Sequence, residues 1–183
     1  RINESFERIM HAKNNIGLLD DYENNWRTVG NTVGIYDHSK IASKIAEKSI
    51  TLVKNNNNLL PFNPNRYGKV SHILMSTDND LRTRLKSFAR DIDYIHGNVQ
   101  KIYVNDVLTD LGMQDILNKV SSSDVIIISM LIRISMDKGL STIHLTHNQL
   151  LKKINKMGIP TIGISFGSPY LPEYSYMDAY LCT

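Results

Sequence analysis

The chain has 183 residues, 42% of them hydrophobic and 21% charged, a length and mix that suit one globular domain or one domain with an appendage. Twenty-one Lys and Arg against eighteen Asp and Glu leave a formal charge of +3, too small and too scattered for the basic face that binds nucleic acid. No apolar run approaches the roughly 20 residues needed to cross a bilayer, and the single Cys182 excludes an internal disulfide framework and a cysteine-based zinc site. The opening Arg1-Ile2-Asn3-Glu4 has neither an initiator Met nor the basic-then-apolar layout of a signal peptide. It reads as the edge of a piece cut from a longer chain, and the compartment stays open.

Residues 3–13 place Phe6, Ile9, Met10 and Lys13 at three- and four-residue spacing, which predicts an amphipathic helix with Gly17 as its left-handed stop. The periodicity disappears over 18–36, where Asp20-Asp21, Asn24-Asn25, Trp26, Gly30 and Gly34 read as a connector. The domain boundary is placed there, giving segments 1–36 and 37–183. Asp37 or Ser39 then caps a second helix whose stripe of Ile41, Ala42, Ile45, Ala46, Ile50 and Val53 implies firm packing and an end near Lys54. The asparagines at 55–58 follow as a helix exit and turn, because Asn tolerates positive φ.

Beyond Pro61 and Pro64, the runs 70–75, 125–131 and 161–166 are predicted strands, the last two rich in Ile and Val without clean alternation, as in parallel strands covered on both faces. Weaker strands are read at 94–95, 102–104 and 179–182. Helical patterns lie between them at 79–90, 106–120 and 146–157, the last stopped by Gly158 and Pro160. Strands alternating with helices predict an α/β fold with a mostly parallel, doubly wound sheet. Ligands on such a sheet sit beyond the carboxyl ends of the strands, here the loops starting at Thr77, Asn105, Ile132 and Gly167.

No complete catalytic signature is present: no phosphate loop ending in Lys-Ser/Thr, no nucleophile elbow, no dinucleotide fingerprint after the first strand. The loop after the most apolar strand carries Arg133, Asp137 and Lys138, polar groups at a strand's carboxyl end that suit substrate binding, as a solvated loop also would. Ser168, in Gly167-Ser168-Pro169, is placed to meet an anion or a sugar hydroxyl, although a tight turn accounts for the same residues. His144 and His147 stand three apart at a helix entrance, but no third ligand has a recognisable spacing, so no metal is assigned. Asp78, Asp80, Asp91 and Asp93 read as caps and surface charges.

Several stretches together resemble a known family. Residues 46–55, Ala-Glu-Lys-Ser-Ile-Thr-Leu-Val-Lys-Asn, followed by Asn58-Leu59-Leu60-Pro61-Phe62, are similar to the opening of the carboxyl-terminal α/β sandwich domain of glycoside hydrolase family 3. Asp124-Val125-Ile126-Ile127-Ile128 with Arg133, Ser135 and Lys138-Gly139 resembles a later strand and loop of that domain. So do Gly158-Ile159-Pro160-Thr161, Ser165-Phe166-Gly167-Ser168-Pro169-Tyr170 and Ala179-Tyr180-Leu181-Cys182, which point to the bacterial β-N-acetylglucosaminidase branch. Arg8-Ile9, Ala12-Lys13 and Gly17-Leu18 resemble the last helix of the preceding (β/α)₈ barrel and its exit.

The resemblance implies a three-layer α/β/α sandwich, preceded by a linker helix from an absent barrel and trimmed at its carboxyl-terminal end. The nucleophilic Asp of such enzymes lies in the barrel, so no catalytic residue is assigned here. The β-glucosidase branch takes its acid/base Glu from a loop similar to 132–140, where this chain offers Ser135-Met136-Asp137-Lys138-Gly139 and no Glu. The N-acetylglucosaminidase branch uses a His of the barrel instead, so the resemblance favours that branch. It implies retaining hydrolysis of a terminal β-linked N-acetylglucosamine without a cofactor, the barrel domain and a carbohydrate as partners, and an inactive isolated chain. Two other readings stay open: a non-catalytic flavodoxin-like module binding a small molecule or protein, and a freestanding hydrolase using Asp137 with a histidine.

Overall fold

The structure is a computed structural model that describes residues 1–20, 26–76, 79–104, 108–132, 143–167 and 173–183. It divides into two compact units, residues 1–45 and 46–183. Helix α1 (Ile2–Asn15) closes at Gly17, whose φ of +70° lets its N–H reach the Asn14 carbonyl at 3.0 Å and that of Leu18 reach Lys13 at 2.9 Å. This is the left-handed stop expected from the sequence. A 3₁₀ turn at Trp26–Asn31 follows, then helix α2 (Tyr36–Ser49). No residue of α1 or α2 is buried. The Ile41 and Ile45 stripe, expected to pack firmly, is exposed.

Helix α2 also ends before Lys54. Thr51–Asn55 is strand β1, antiparallel to the last strand, β6 (Ala179–Cys182), with Thr51 opposite Cys182 and Asn55 opposite Ala179. The cause is non-local: the β6 edge needs partners for its backbone N–H and C=O groups, and Thr51, Leu52 and Val53 have strand propensity. The asparagines turn the chain with the expected positive φ, +57° at Asn57 and +51° at Asn58, but they leave strand β1 rather than a helix. Asn55 braces this turn, accepting from the Leu60 N–H at 3.0 Å and donating to the Leu60 carbonyl at 2.8 Å.

The remaining elements are β2 (Val70–Met75), α3 (Asn79–His96), β3 (Val99–Val104), α4 (Asp110–Val120), β4 (Val125–Ile132), α5 (Leu145–Asn155) and β5 (Thr161–Gly167). The strand expected at 94–95 is instead the last turn of α3, because Leu85, Phe88, Ala89 and Ile92 continue a helical stripe that the sheet buries. The six strands lie in the order β1-β6-β5-β4-β2-β3, and every pair but β1–β6 is parallel. The doubly wound α/β sandwich expected from the sequence is therefore the fold.

One face of the sheet packs Ile73, Met75, Ile102, Val104, Ile126, Ile128 and Met130 against Met113, Ile116 and Val120 of α4 and Leu150, Leu151 and Ile154 of α5. The other face carries Val70, Val125, Ile127, Ile162 and Ile164 under Leu59 and Tyr67, with Leu74 under Leu85 and Ala89 of α3. Strands buried on both sides account for the unbroken apolar runs. At the amino end of the sheet two carboxylates hold strand starts together. Asp124 accepts from the Gly68 and Lys69 N–H groups, both at 2.8 Å, and Asp178 accepts from the Thr161 N–H at 3.0 Å.

Candidate functional site

β2 connects to β3 on one side while β4 connects to β5 on the other, and β2 and β4 are hydrogen-bonded neighbours. The strand order thus reverses between them, and in open α/β sheets the crevice beyond the carboxyl ends at such a reversal is where ligands bind. Met75 lies opposite Met130 there, and β4 and β5 end in register with Ile132 opposite Gly167. The chain therefore leaves toward Arg133, Asp137 and Lys138 from one strand end and toward Ser168 from the next. These four predicted binding residues themselves lie outside the described residues.

The rim is fixed by short polar contacts. Ser76, only 2% exposed, extends the β2–β3 ladder by donating its N–H to the Val104 carbonyl at 2.9 Å. Helix α4 is capped by Thr109, whose Oγ1 accepts from the Gly112 N–H at 3.1 Å. Helix α5 is capped by His144, whose Nδ1 accepts from the Thr146 N–H at 3.3 Å, and Thr146 Oγ1 accepts from the Leu108 N–H at 3.2 Å. That last bond ties the two helix entrances together. His144 and His147 stack edge to face at 6.0 Å, the first a helix cap and the second fully buried. Among the described residues no group of three His, Cys, Asp or Glu side chains is placed to hold a metal ion.

One pair that the sequence reading did not single out has the composition of a nucleophile and its base. His72 Nε2 and Ser129 Oγ lie 2.8 Å apart, on β2 and β4, 57 positions apart in the chain. Both side chains are fully buried, and the Phe88 ring stands edge-on to the imidazole at 5.9 Å. Burial, with a smaller contribution from nearby Lys101, lowers the His72 pKa from 6.5 to about 4. A base that weak, with no path for substrate, does no nucleophilic chemistry; the pair is a hydrogen-bonded polar contact within the core. Its only sequence signal was a polar residue inside each of two apolar strands. Lys101 in turn donates to Asp93 Oδ2 at 2.6 Å, which holds that carboxyl below the usual range.

Two cavities of the sheet unit, of about 200 Å³ by Ser71 and Gln100 and about 290 Å³ by Arg66 and Asp178, open at the amino end, away from the strand reversal. No helix among the described residues is long and apolar enough to cross a membrane.

No protein-family model matches the chain. Local sequence likeness is found to a β-xylosidase of Formosa agariphila, 40% identical over 60 residues, and to a lysosomal β-glucosidase of Dictyostelium discoideum, 38% identical over 66. These matches take in 33% and 36% of this chain and 8% of either relative. Among solved structures, a glycoside hydrolase family 3 β-N-acetylglucosaminidase from a Paenibacillus species superposes with a TM-score of 0.64 at 14% identity, over 99% of this chain and 34% of that one. A β-glucosidase from Erythrobacter marinus gives 0.65 at 17% identity, over 96% and 30%. A β-glucoside phosphorylase gives 0.60 at 20% identity, over 80% and 26%. The chain thus shares its fold with part of much longer carbohydrate-active proteins, spanning about a third or less of each, and its local sequence relatives are β-glycosidases.

Proposed function

We propose that the chain is the carboxyl-terminal sandwich domain of a family 3 glycoside hydrolase that removes a terminal β-linked N-acetylglucosamine with retention of configuration. The observation that carries this reading is the likeness along 99% of the chain to part of a family 3 β-N-acetylglucosaminidase, joined to a loop over 132–140 that holds no Glu. In the retaining reaction a carboxylate attacks the anomeric carbon while an acid protonates the departing oxygen, with the two groups about 5–5.5 Å apart. In this reading the sandwich supplies neither group. Asp124 and Asp178 are occupied with backbone amides, and Asp93 with Lys101. The nucleophile belongs to a barrel that precedes Arg1 in the intact protein. The sandwich packs beside it and closes one side of the sugar pocket with Arg133, Asp137, Lys138 and Ser168.

A second reading, the same role in a β-glucosidase or β-xylosidase, is favoured by the names of the two local sequence relatives. One experiment separates the readings. The chain is assayed alone and joined to its upstream segment on chromogenic β-N-acetylglucosaminide, β-glucoside and β-xyloside. The expected result is no turnover by the chain alone and preference for the N-acetylglucosaminide by the joined protein. Turnover by the 183 residues alone overturns the assigned role, and preference for glucose or xylose moves the protein to the second reading.

A further inference from the structure

We propose that helix α3 is an acid-released element, held on the sheet by a buried neutral histidine, His72, and by the Asp93–Lys101 bridge beside it. His72 sits mid-strand in β2, fully buried, with Lys101 of β3 as its register partner. Nε2 faces Ser129 Oγ of β4 at 2.8 Å, and Nδ1 has no partner among the described residues. The neutral ring fits this site with one hydrogen bond, Nε2 donating to the hydroxyl and Nδ1 left as a bare nitrogen against apolar neighbours. The protonated ring cannot, because its second N–H would be buried without an acceptor.

The charged and titratable groups around it leave the added charge uncompensated. β3 presents the Lys101 ammonium, which repels it. Its Cα partner on β4 is Ile127, and the nearby β5 positions Ile164 and Phe166 are apolar. Helix α3 brings the Phe88 ring edge-on, Asp93, which is committed to Lys101 at 2.6 Å, and His96 at its last turn, bonded to the Tyr67 carbonyl. Acid therefore acts on the α3 seat through His72, charging a ring that only departure of the helix can hydrate, while the Asp93 carboxyl, held below its ordinary range by Lys101, keeps its bridge to β3 through the same window.

Helix α3 is the element to yield. It seats Leu85 and Ala89 on Leu74, Leu131 and Phe166, with Phe88 and Ile92 only partly buried, whereas α4 and α5 together cover the larger cluster on the other face. It also begins at Asn79, just beyond the carboxyl end of β2, so its release alters one wall of the strand-reversal crevice. The folded pKa of His72 is lowered, so between about 4 and 6.5 the open state holds more protons than the closed one, and falling pH drives opening. Each unit in that window makes opening roughly tenfold easier, about 30-fold between pH 7.5 and pH 5.

Hydrogen exchange of the whole chain, corrected for the intrinsic pH dependence of exchange, tests this. The expected result is an approximately 30-fold loss of protection in α3 peptides from pH 7.5 to pH 5, with β4 and β5 peptides unchanged. His72→Gln is expected to abolish most of that slope, and His72→Leu serves the same purpose should the amide variant fold poorly. Equal loss in α3, β4 and β5, an α3 protection that does not vary with pH, or an unchanged slope in both variants overturns the proposal.

Discussion

Gly163 is the position at which the sheet tolerates no side chain. It lies in β5 opposite Ile128 and Tyr180. A Cβ built there would fall 1.8 Å from Met177 Sδ and 3.1 Å from both Met177 Cε and Tyr180 Cδ2. Met177 and Tyr180 are 2% and 1% exposed, so neither has free space to move into. Gly163→Ala is therefore an overpacking substitution, of a kind that costs about 1–3 kcal/mol. For the unit formed by residues 46–183, about 2 kcal/mol lowers the melting temperature by roughly 6–10 °C. The mechanism has a second signature. Met177→Ala alone opens a cavity and costs about 2–4 kcal/mol, but in the double variant the new methyl group occupies part of that cavity. The two costs then fall short of their sum by about 1 kcal/mol or more. Denaturant melts of the parent, both single variants and the double variant supply all four corners. A Gly163→Ala protein within about 0.5 kcal/mol of the parent, or strictly additive costs, would refute the close approach of Met177 to this strand.

The other expected outcomes concern the two ends of the sheet. Asp124→Ala frees two backbone N–H groups, and its melting temperature is expected to fall by the equivalent of about 1–2 kcal/mol, with Asp124→Asn recovering part of the loss. Thr109→Ala removes the cap of α4 and costs about 1 kcal/mol, read by urea unfolding, while Thr109→Ser restores stability. In the intact enzyme proposed above, Arg133→Ala is expected to raise KM severalfold with kcat within about threefold, the pattern of lost ground-state binding, as steady-state kinetics will report.

The strands of the parallel sheet were legible because burial on both faces writes itself as short apolar runs rich in Ile and Val, and 70–75 and 179–182 were read to the residue. The helix ends at Gly17 and Gly158 were legible for a local reason, since both sit at positive φ. What escaped was decided across the chain. Residues 51–55 carry the tail of a helical stripe, yet they pair with β6, more than 120 positions away, because an open edge outweighs a weak local preference. Tyr94 and Ile95 look like a strand until the burial of Phe88 and Ile92 carries the helix through them. The site was legible only as topology: the strand reversal follows from strand order, whereas the contact between His72 and Ser129 depends on a register that no single strand encodes.

A shared sheet does not decide the sugar. The matched proteins are a β-xylosidase, β-glucosidases, a β-N-acetylglucosaminidase and a β-glucoside phosphorylase, and one architecture hosts such variety because the substrate is read by loops that the sheet only positions. Core and rim substitutions should therefore separate cleanly. In the intact enzyme proposed above, Gly163→Ala and Asp124→Ala are expected to change how much protein is folded but to leave the ratio of kcat/KM between N-acetylglucosaminide and glucoside within about twofold, since Gly163 lies mid-strand and Asp124 at the amino end of the sheet, away from the carboxyl-end loops proposed to meet the sugar. Under the same proposal, Arg133→Ala and Lys138→Ala are expected to shift that ratio while the melting temperature stays within a few degrees. A core variant that changes the ratio tenfold at constant folded fraction would mean that the sheet transmits strain into the pocket, and the division between scaffold and reader would have to be abandoned.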